Sequence, residues 1–342
     1  MVEKFDVVIV GAGPSGVAAA ITTARAGLNT VIIERGSIPG EKNMFGGVIF
    51  SHAFKKLIPD FEKQAPLERK VIEYQYWILL EDSHIKLSFR DGYFKNKPSG
   101  YTVLRAKFDP WFAKKAEESG ALLITKTTAF GVIKKDKKVI GVETDRGEIY
   151  GNIIIAADGV NSLIAESAGL HGRWKPNQVA LGIKEYYDLH RVKIDEMFQV
   201  NSDEGVAVTI VGGPLKGMTG GGFIYTDKDG LSIGVGALLS DIVKKYKRPN
   251  ILIEEFKSHP SINPYIKQAN LREYSAHLIP EGGYDAIPKL YTNGLMVVGD
   301  AAMLVNVVGW EGTNLAVESG RLAGETAIYA HKVNDFSEKT LM

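Results

Sequence analysis

Three glycines near the N-terminus have a spacing that suits binding of a phosphate-bearing ligand. Gly11, Gly13 and Gly16 lie between an apolar run, Phe5 to Val10, and an alanine-rich segment that ends near Ala26. Between a strand and a helix, the first glycine permits the tight turn and the second lets the backbone approach a pyrophosphate. The third lets helix and strand pack closely. The free N–H groups of the helix start add partial positive charge, so we expect the turn to bind a dinucleotide.

An acidic residue follows at the spacing typical of a ribose contact. The second apolar run, residues 30–33, ends on Glu34, roughly 20 residues after the glycines. A carboxylate there accepts hydrogen bonds from ribose hydroxyls and disfavours a 2′-phosphate. We include Pro14, Ser15 and Arg35 among the predicted contacts. Strand, helix and second strand together form a βαβ unit, which makes the glycine pattern far more specific.

Two further turns could approach the same ligand. Gly299 and Asp300 follow an apolar run and precede Gly312-Thr313-Asn314, which opens a helix expected to reach about His331. That helix would direct its positive N-terminus at whatever lies beside Asp300. Asp158-Gly159 closes another apolar run; it is either a second close approach to the ligand or an ordinary Asp-Gly turn.

These elements predict an α/β fold (α+β overall), a Rossmann-like dinucleotide domain with an inserted antiparallel β-sheet domain. We assign residues 1–75, 100–176 and 286–342 to the first domain, and residues 76–99 and 177–285 to the second. Asp109 is predicted to cap a helix with Pro110 at its first position. Gly220-Gly221-Gly222 is predicted to form a turn or loop in the inserted sheet, with a strand-like run over residues 222–226.

Composition excludes several classes of protein. The 342 residues carry a net charge of +1 and no basic stripe, so we expect no nucleic-acid partner. The chain has no cysteine, which rules out a cysteine-ligated iron–sulfur cluster or a cysteinyl bond to a cofactor within it. No histidine pair has zinc spacing, no metal site is predicted, and only His52 stands out for testing. No apolar stretch is long enough to span a membrane, and the start leaves no room for a signal peptide. We expect a cytoplasmic protein, attached at most to the membrane surface.

Taken together, the motifs resemble the FAD-dependent oxidoreductases with the glutathione-reductase-type FAD fold. Three further segments narrow the resemblance to the FixC family, relatives of electron-transfer-flavoprotein:quinone oxidoreductase. The motifs of the wider group are GAGPSG at residues 11–16, Glu34, Arg105 within LRAKFDPW, AADG at residues 156–159, and the stretch from GDAA to RLAGE at residues 299–325. Those of the narrower family are KNMFGGV at residues 42–48, APLER at residues 65–69 and IPEGG at residues 279–283.

The resemblance implies a role for each matching residue. FAD would be held non-covalently, with its pyrophosphate at the glycine turn and its adenosine ribose at Glu34. Arg105 would lie over the phosphates or the ribityl chain, although a surface ion pair is the alternative for it. Asp300 would bind a ribityl or pyrophosphate oxygen. Gly46 and Gly47 would give access to the flavin face, and the remaining contacts would come from Asp158, Gly159, Gly299, Gly312, Thr313 and Asn314.

The resemblance also implies an activity and partners. FAD would take electrons from an electron-transfer flavoprotein and pass them to quinone, beside a separate ferredoxin-like iron–sulfur protein. We name no catalytic side chain, because the redox chemistry belongs to the cofactor. No second glycine-rich βαβ unit for NAD(P)H is present. The chain stops soon after the GDAA-led helix, where the family continues, which leaves the docking or membrane-contact surface open.

Three alternatives remain. A geranylgeranyl-type reductase would act on a prenyl lipid, a flavin-dependent hydroxylase would consume oxygen with NAD(P)H, and a non-catalytic flavin-binding subunit would not turn over. Trp111-Phe112 and Met303-Leu304-Val305 could face a quinone tail or a bilayer, but ordinary core packing is the favoured interpretation.

Overall fold

The structure is a computed structural model that describes residues 4–41, 47–98, 100–309 and 311–342. The strands are β1 Lys4–Val10, β2 Thr30–Ile33, β3 Val48–Phe50, β4 Lys70–Leu79, β5 His84–Arg90, β6 Gly100–Thr102, β7 Leu122–Ile124, β8 Ala129–Lys135, β9 Lys138–Thr144, β10 Gly147–Ala156, β11 Val179–Asp188, β12 Glu204–Gly212, β13 Gly220–Asp227, β14 Gly230–Leu238, β15 Asn270–Pro280, β16 Tyr291–Thr292 and β17 Leu295–Val297. The helices are α1 Pro14–Arg25, α2 Ser51–Lys55, α3 Phe61–Gln64, α4 Gly92–Asn96, α5 Arg105–Glu118, α6 Leu163–Ala168, α7 Arg191–Phe198, α8 Leu239–Lys244, α9 Pro249–Ser258, α10 Asn263–Ile266, α11 Thr313–Val333 and α12 Glu338–Leu341.

The first sheet is a largely parallel sheet whose central strands are buried on both faces. Its order is β16-β17-β10-β1-β2-β7, with β8 and β9 continuing from β10. Strands β17, β10, β1, β2 and β7 run parallel. The side chains of Val7, Val8 and Ile9 are fully buried, as the continuous apolar run predicts. The carboxyl ends of these strands bring the predicted ligand-binding turns to one edge of the sheet.

The second sheet has the order β15-β11-β14-β13-β12-β4-β6-β3, with β5 paired to β4. It is antiparallel except for the parallel pair β4 and β12. One face packs on helices through a core that includes Ile224, Ile233 and Phe256. The opposite face carries Tyr225 on β13, which lies against Gly47 just before β3, and His277 on β15, which interacts electrostatically with Asp300 after β17. This face therefore lies toward the edge at which the predicted binding turns meet.

Two helices that begin at the binding edge pack closely because small residues lie between them. A Cβ atom on Gly320 of α11 would lie 2.0 Å from the carbonyl oxygen of Ser15 in α1. A Cβ on Gly324 would lie 2.7 Å from Cβ of Thr22. Helix α11 is thus fixed against the first turn of α1.

The predicted α/β class with an inserted sheet is confirmed, and so are the βαβ unit and the C-terminal helix. The predicted helix start at Asp109 is wrong: α5 begins at Arg105, and Pro110 lies inside it. Phe108 and Phe112 are buried in an aromatic cluster with Phe54 and Phe61, and this burial stabilises the extra turn despite the proline.

The predicted turn or loop is also wrong at Gly220 and Gly221, which begin strand β13, whereas the strand predicted from Gly222 is present. The phenyl ring of Phe256 fills the space beside Gly222, where a Cβ would lie 2.6 Å from its Cε2. Strands β3, β6 and the first half of β4 belong to the second sheet, although they fall in segments assigned to the first domain. The domain boundaries stay a prediction.

Candidate functional site

The glycine turn has the close backbone contacts that its spacing predicts. Gly11 has φ of 104°, and a Cβ there would lie 2.3 Å from the carbonyl oxygen of Ala157. A Cβ on Gly16 would lie 1.9 Å from the carbonyl oxygen of Gly11. A Cβ on Gly13, in contrast, meets no described atom within 4 Å. Gly11 and Gly16 are therefore required by the fold, whereas Gly13 leaves an open approach to the start of α1.

Glu34 is nearly buried at the end of β2 and reaches back to this turn. Its carboxylate accepts hydrogen bonds from the backbone N–H groups of Ala12 (2.9 Å) and Gly36 (2.7 Å). A carboxylate has about four lone-pair positions, so two remain for ribose hydroxyls. Arg35 is exposed.

The turn after β17 meets the glycine turn directly. Gly299 has φ of 62°, and a Cβ there would lie 2.6 Å from the hydroxyl oxygen of Ser15. The Gly299 N–H donates to the hydroxyl of Ser319 in α11 at 3.0 Å. These contacts fix the two turns and α11 to one another.

Asp300 lies in the turn after β17, beside the start of α11. A Cβ on Gly312 would be 3.9 Å from Oδ1 of Asp300, so the carboxyl group lies beside the helix N-terminus. Burial raises the pKa of Asp300, while the nearby charges of Arg105 and His277 oppose that rise. Thr313 begins the helix and Asn314 is buried, its amide 3.4 Å from Glu311. The predicted Asp300–helix pair is thus present.

Arg105 forms a buried ion pair within α5. Its guanidinium donates to both carboxylate oxygens of Asp109, at 2.5 and 2.7 Å, and the Arg105 residue is only 4% exposed. The surface ion pair considered as the alternative is therefore wrong. Desolvation acts to lower the pKa of Arg105, but the charges of Asp109 and Asp300 raise it overall. Arg105 stays cationic beside Asp300.

Asp158 follows β10 directly under the glycine turn. Its Cα would lie 3.4 Å from a Cβ on Gly11. One oxygen, Oδ2, accepts from the N–H of Ile164 at the start of α6 (3.1 Å), and the other, Oδ1, is buried with no hydrogen-bond partner among the described residues. Burial raises the pKa of Asp158 to about 6. Gly159 has φ of 71° and begins a short 3₁₀ turn.

Gly47 lies against the second sheet, where a Cβ would be 2.3 Å from the ring of Tyr225. That ring stacks on Phe223 with a centroid distance of 4.6 Å. Gly46 lies outside the described residues. We call the face of the second sheet that carries Phe223, Tyr225, Lys184, Asp227 and His277 the site wall.

Sequence reasoning missed the polar members of the site wall. In register, Lys184 on β11 pairs with Gly234 and Ser275, and Gly182 pairs with His277. Cross-strand partners share a face, and both side chains also interact electrostatically with the binding edge, Lys184 with Arg105 and His277 with Asp300. The only sequence signal was a lysine inside the apolar strand LGIKEYY.

Other predicted features fall elsewhere. His52 is exposed on the short helix α2. Phe112 and Met303 are buried, which agrees with core packing for both apolar patches. Within residues 4–41, 47–98, 100–309 and 311–342, no group of His, Cys, Asp and Glu is arranged to hold a metal ion. In the same ranges, no helix is both long enough and apolar enough to cross a bilayer.

The class of protein follows from a comparison of families. Residues 6–202 match the family model described as FAD dependent oxidoreductase. The chain is 45% identical over 327 residues to Protein FixC of Bradyrhizobium diazoefficiens, a match that covers 94% of this chain and 75% of the relative. It is 40% identical over 342 residues to the probable electron transfer flavoprotein-quinone oxidoreductase YdiS of Escherichia coli K12, covering 99% of this chain and 80% of the relative. The chain belongs to the FAD-dependent oxidoreductases and, within them, to the FixC and electron transfer flavoprotein-quinone oxidoreductase family.

Solved structures agree on the fold. A geranylgeranyl bacteriochlorophyll reductase-like protein from Thermoplasma acidophilum has a TM-score of 0.83 at 23% identity, covering the whole of this chain and 82% of its own. The flavin-dependent brominase Bmp2 has a TM-score of 0.73 at 18% identity, covering 98% and 81%. At these identities the likeness shows the architecture alone.

The cofactor is FAD, and the residues present fit it. The open face of Gly13 admits a pyrophosphate, Glu34 keeps acceptor positions for a ribose, and Asp300 lies beside a helix N-terminus. The unpartnered buried oxygen of Asp158 is a further acceptor under the same turn.

Proposed function

We propose that this oxidoreductase receives electrons from an electron-transfer flavoprotein and passes them to a quinone. The main support for the proposal is that the site wall continues into an exposed apolar surface. Tyr225 pairs in register with Ala207, and Ala207 with Tyr74. Cross-strand partners share a face, so this face runs outward from the site along β4.

The outer end of that face is an apolar hairpin. Tyr76 pairs with Leu87, and Ile78 pairs with Ile85, across β4 and β5. All four side chains are exposed, as are Leu80 and Phe89. Contiguous exposed apolar surface of this kind marks an interaction site. It suits an acceptor that is dissolved in lipid, and we propose that this apolar hairpin makes peripheral contact with a membrane.

The site residues would act by binding and orientation. We propose that Gly11, Gly13 and Gly16, with Pro14 and Ser15, hold the pyrophosphate of FAD. Bound FAD supplies the electron-accepting and electron-donating chemistry.

The remaining contacts are divided between the adenosine end and the flavin end of the site. Glu34, beside Arg35, would bind the adenosine ribose. Asp300, with Arg105 behind it, would bind the ribityl region. Further contacts would come from Asp158, Gly159, Gly299, Gly312, Thr313 and Asn314, and from Gly46 and Gly47 toward the flavin face.

The relatives and the composition support the proposed partners. One relative is named for electron transfer flavoprotein and quinone, which supports that donor and that acceptor. Because this chain has no cysteine, we propose that any iron–sulfur centre in the path belongs to a separate ferredoxin-like protein. A prenyl lipid would fit the same apolar face, so a prenyl reductase is the second candidate.

Anaerobic visible spectroscopy of the FAD-loaded protein tests the proposal. We expect bleaching by reduced electron-transfer flavoprotein and recovery of colour on adding a quinone analogue. Bleaching by NAD(P)H alone, followed by oxygen uptake, would contradict it and indicate a hydroxylase. Recovery of colour with a prenyl diphosphate but not with quinone would favour the lipid reductase, and no reduction by any donor would favour a non-catalytic subunit.

A further inference from the structure

A hydrogen bond from a buried serine joins two of the turns that line the FAD site. Ser162 follows the turn that carries Asp158, and its side chain is fully buried. The Ser162 hydroxyl donates to the carbonyl oxygen of Ala301 at 2.8 Å. Ala301 is also fully buried and comes directly after Asp300 in the short turn Gly299–Ala302. The bond therefore ties the Asp158 turn to the Asp300 turn.

The backbone at Ser162 is held in an unfavourable conformation to make this bond. Its φ of 49° and ψ of 36° lie in the left-handed region, where a residue with a Cβ atom is disfavoured. Such a conformation persists when the surrounding contacts determine it.

A histidine lies against the same hydroxyl. Nε2 of His171 is 2.8 Å from Oγ of Ser162, and Nδ1 is 2.6 Å from the carbonyl oxygen of Gly172. The imidazole stacks on the indole of Trp174, with ring centroids 3.9 Å apart. The Trp174 Nε1–H in turn donates to the carbonyl oxygen of Val160 at 2.8 Å. Both ring nitrogens and one ring face of His171 are thus held by neighbours.

The charge of His171 determines whether all these bonds form together. A carbonyl oxygen only accepts, so Nδ1 must carry a proton to bond Gly172. If Nε2 carries none, then Nε2 and the Ala301 carbonyl compete for the single proton of the Ser162 hydroxyl. If Nε2 is also protonated, it donates to Ser162, and the hydroxyl donates to Ala301. Only the cationic ring satisfies every contact, and the face of Trp174 favours that cation as well.

The charged groups around His171 come from three neighbouring elements. Asp158, in the turn after β10, interacts electrostatically with the imidazole. Glu166 on α6 pairs with Arg173, two residues beyond the histidine, at 3.8 Å. Lys134 on β8 donates to the last carbonyl group of α6 at 2.9 Å. An ionised Asp158 supports the cationic form of His171.

We propose that Ser162 and His171 are positioning residues that hold the Asp300 turn beside the Asp158 turn, and that the cationic form of His171 strengthens this hold. A turn that is already fixed presents Asp300 to FAD with less loss of freedom on binding. Histidine is the side chain whose charge ordinarily changes between pH 5 and 8, so FAD binds more tightly toward the acidic end of that range. The inference rests on the proposed place of Asp300 in the FAD site.

The test is a fluorescence titration of FAD into apoprotein at pH 5.5 and at pH 8. The quantity compared is the dissociation constant at pH 8 divided by that at pH 5.5, since other titrating groups contribute to this ratio in every variant. One hydrogen bond changes an affinity by about fivefold. We therefore expect the ratio of the unaltered protein to exceed that of Ser162→Gly and of His171→Gln by about fivefold.

The two variants should differ in affinity although both lose this pH dependence. Ser162→Gly lacks the hydroxyl, while glycine adopts the left-handed backbone freely, so FAD should bind weakly at both pH values. His171→Gln supplies an amide N–H that donates to Ser162 at either pH, so FAD should bind tightly at both. A role in structure alone would weaken binding without removing the pH dependence.

Ser119→Ala is the matched control. Ser119 also donates its hydroxyl to a backbone carbonyl, that of Lys115 at 2.8 Å, but at the opposite end of α5 from Arg105. Its ratio should equal that of the unaltered protein. If Ser162→Gly fails to fold, His171→Gln decides the outcome, because that side chain is only half-buried. Equal ratios in His171→Gln and the unaltered protein would overturn the proposal.

Asp300→Ala separates this inference from the proposed FAD site. Weaker FAD binding in Asp300→Ala, together with equal ratios in His171→Gln and the unaltered protein, would overturn the inference alone. Unchanged binding in Asp300→Ala would overturn both the inference and the proposed place of Asp300.

Discussion

At the residue scale, a half-buried carboxyl group in the IPEGG segment makes stability depend on pH. Burial alone raises the pKa of Glu281 to about 7. The folded protein therefore binds this proton more tightly than the unfolded chain, and stability falls as pH rises from the ordinary carboxyl range through 7.

Glu281→Gln removes the ionisation and should be stabilising only at higher pH. We expect the thermal midpoint at pH 8 to rise by about 2 °C, with no change at pH 4.5, measured by calorimetry on the FAD-loaded protein. Glu196→Gln, at an exposed position on α7, is the control. Its thermal midpoint, relative to that of the unaltered protein, should be the same at both pH values. An equal effect of Glu281→Gln at both pH values would contradict the assignment.

The predicted positions that the structure brings together are mainly those set by local sequence. Gly11, Gly16 and Glu34 are defined by a turn and one strand end. The contact of Gly16 with Gly11 and the bond from Ala12 to Glu34 lie within a single βαβ unit, although Gly11 also packs against Ala157 after β10. Lys184 and Asp227 were missed because their place on one face of the second sheet depends on the register of three strands. Asp109 was placed outside α5 because its buried partner, Arg105, could not be foreseen from helix-start patterns.

At the element scale, the contact between α1 and α11 determines the geometry of the glycine turn. Gly320→Ala would place a methyl group 2.0 Å from the carbonyl oxygen of Ser15, and backbone must move. We expect a loss of about 1–3 kcal/mol in the free energy of unfolding and weaker FAD binding, measured by denaturation and by flavin fluorescence. Leu322→Ala, on the exposed side of α11, should leave FAD affinity unchanged. Equal affinities in the two variants would show that the contact does not support the site.

Element boundaries were predicted best where the pattern was uninterrupted. Strand β2 has the predicted bounds, and α11 starts at the predicted Thr313. Strand β4 begins at Lys70, six residues before the predicted start of the second domain at residue 76, because it pairs with β12, which is distant in sequence. The glycines at the start of β13 gave a turn signal, yet strand pairing with β14 overrides it.

At the scale of the whole molecule, the apolar hairpin should control contact with lipid. Leu87→Glu adds a charge to its exposed face, and we expect weaker co-sedimentation with vesicles of phosphatidylcholine and phosphatidylglycerol. Reduction of a long-tailed quinone should slow, while reduction of a water-soluble analogue should not. Val243→Glu adds the same charge at an exposed position on α8 and should change neither. If both variants sediment alike, the hairpin is not the contact surface.

Gly13→Ala tests the position of FAD at the glycine turn directly. A methyl group there meets no described atom within 4 Å, so the apoprotein should unfold at an unchanged midpoint. Because the same methyl would occupy the approach of the pyrophosphate, the dissociation constant for FAD, titrated into apoprotein by flavin fluorescence, should rise at least tenfold, or ~1.4 kcal/mol. Gly172→Ala, at another glycine with open surroundings, should bind FAD as the unaltered protein does. Unchanged FAD affinity in Gly13→Ala would contradict the account.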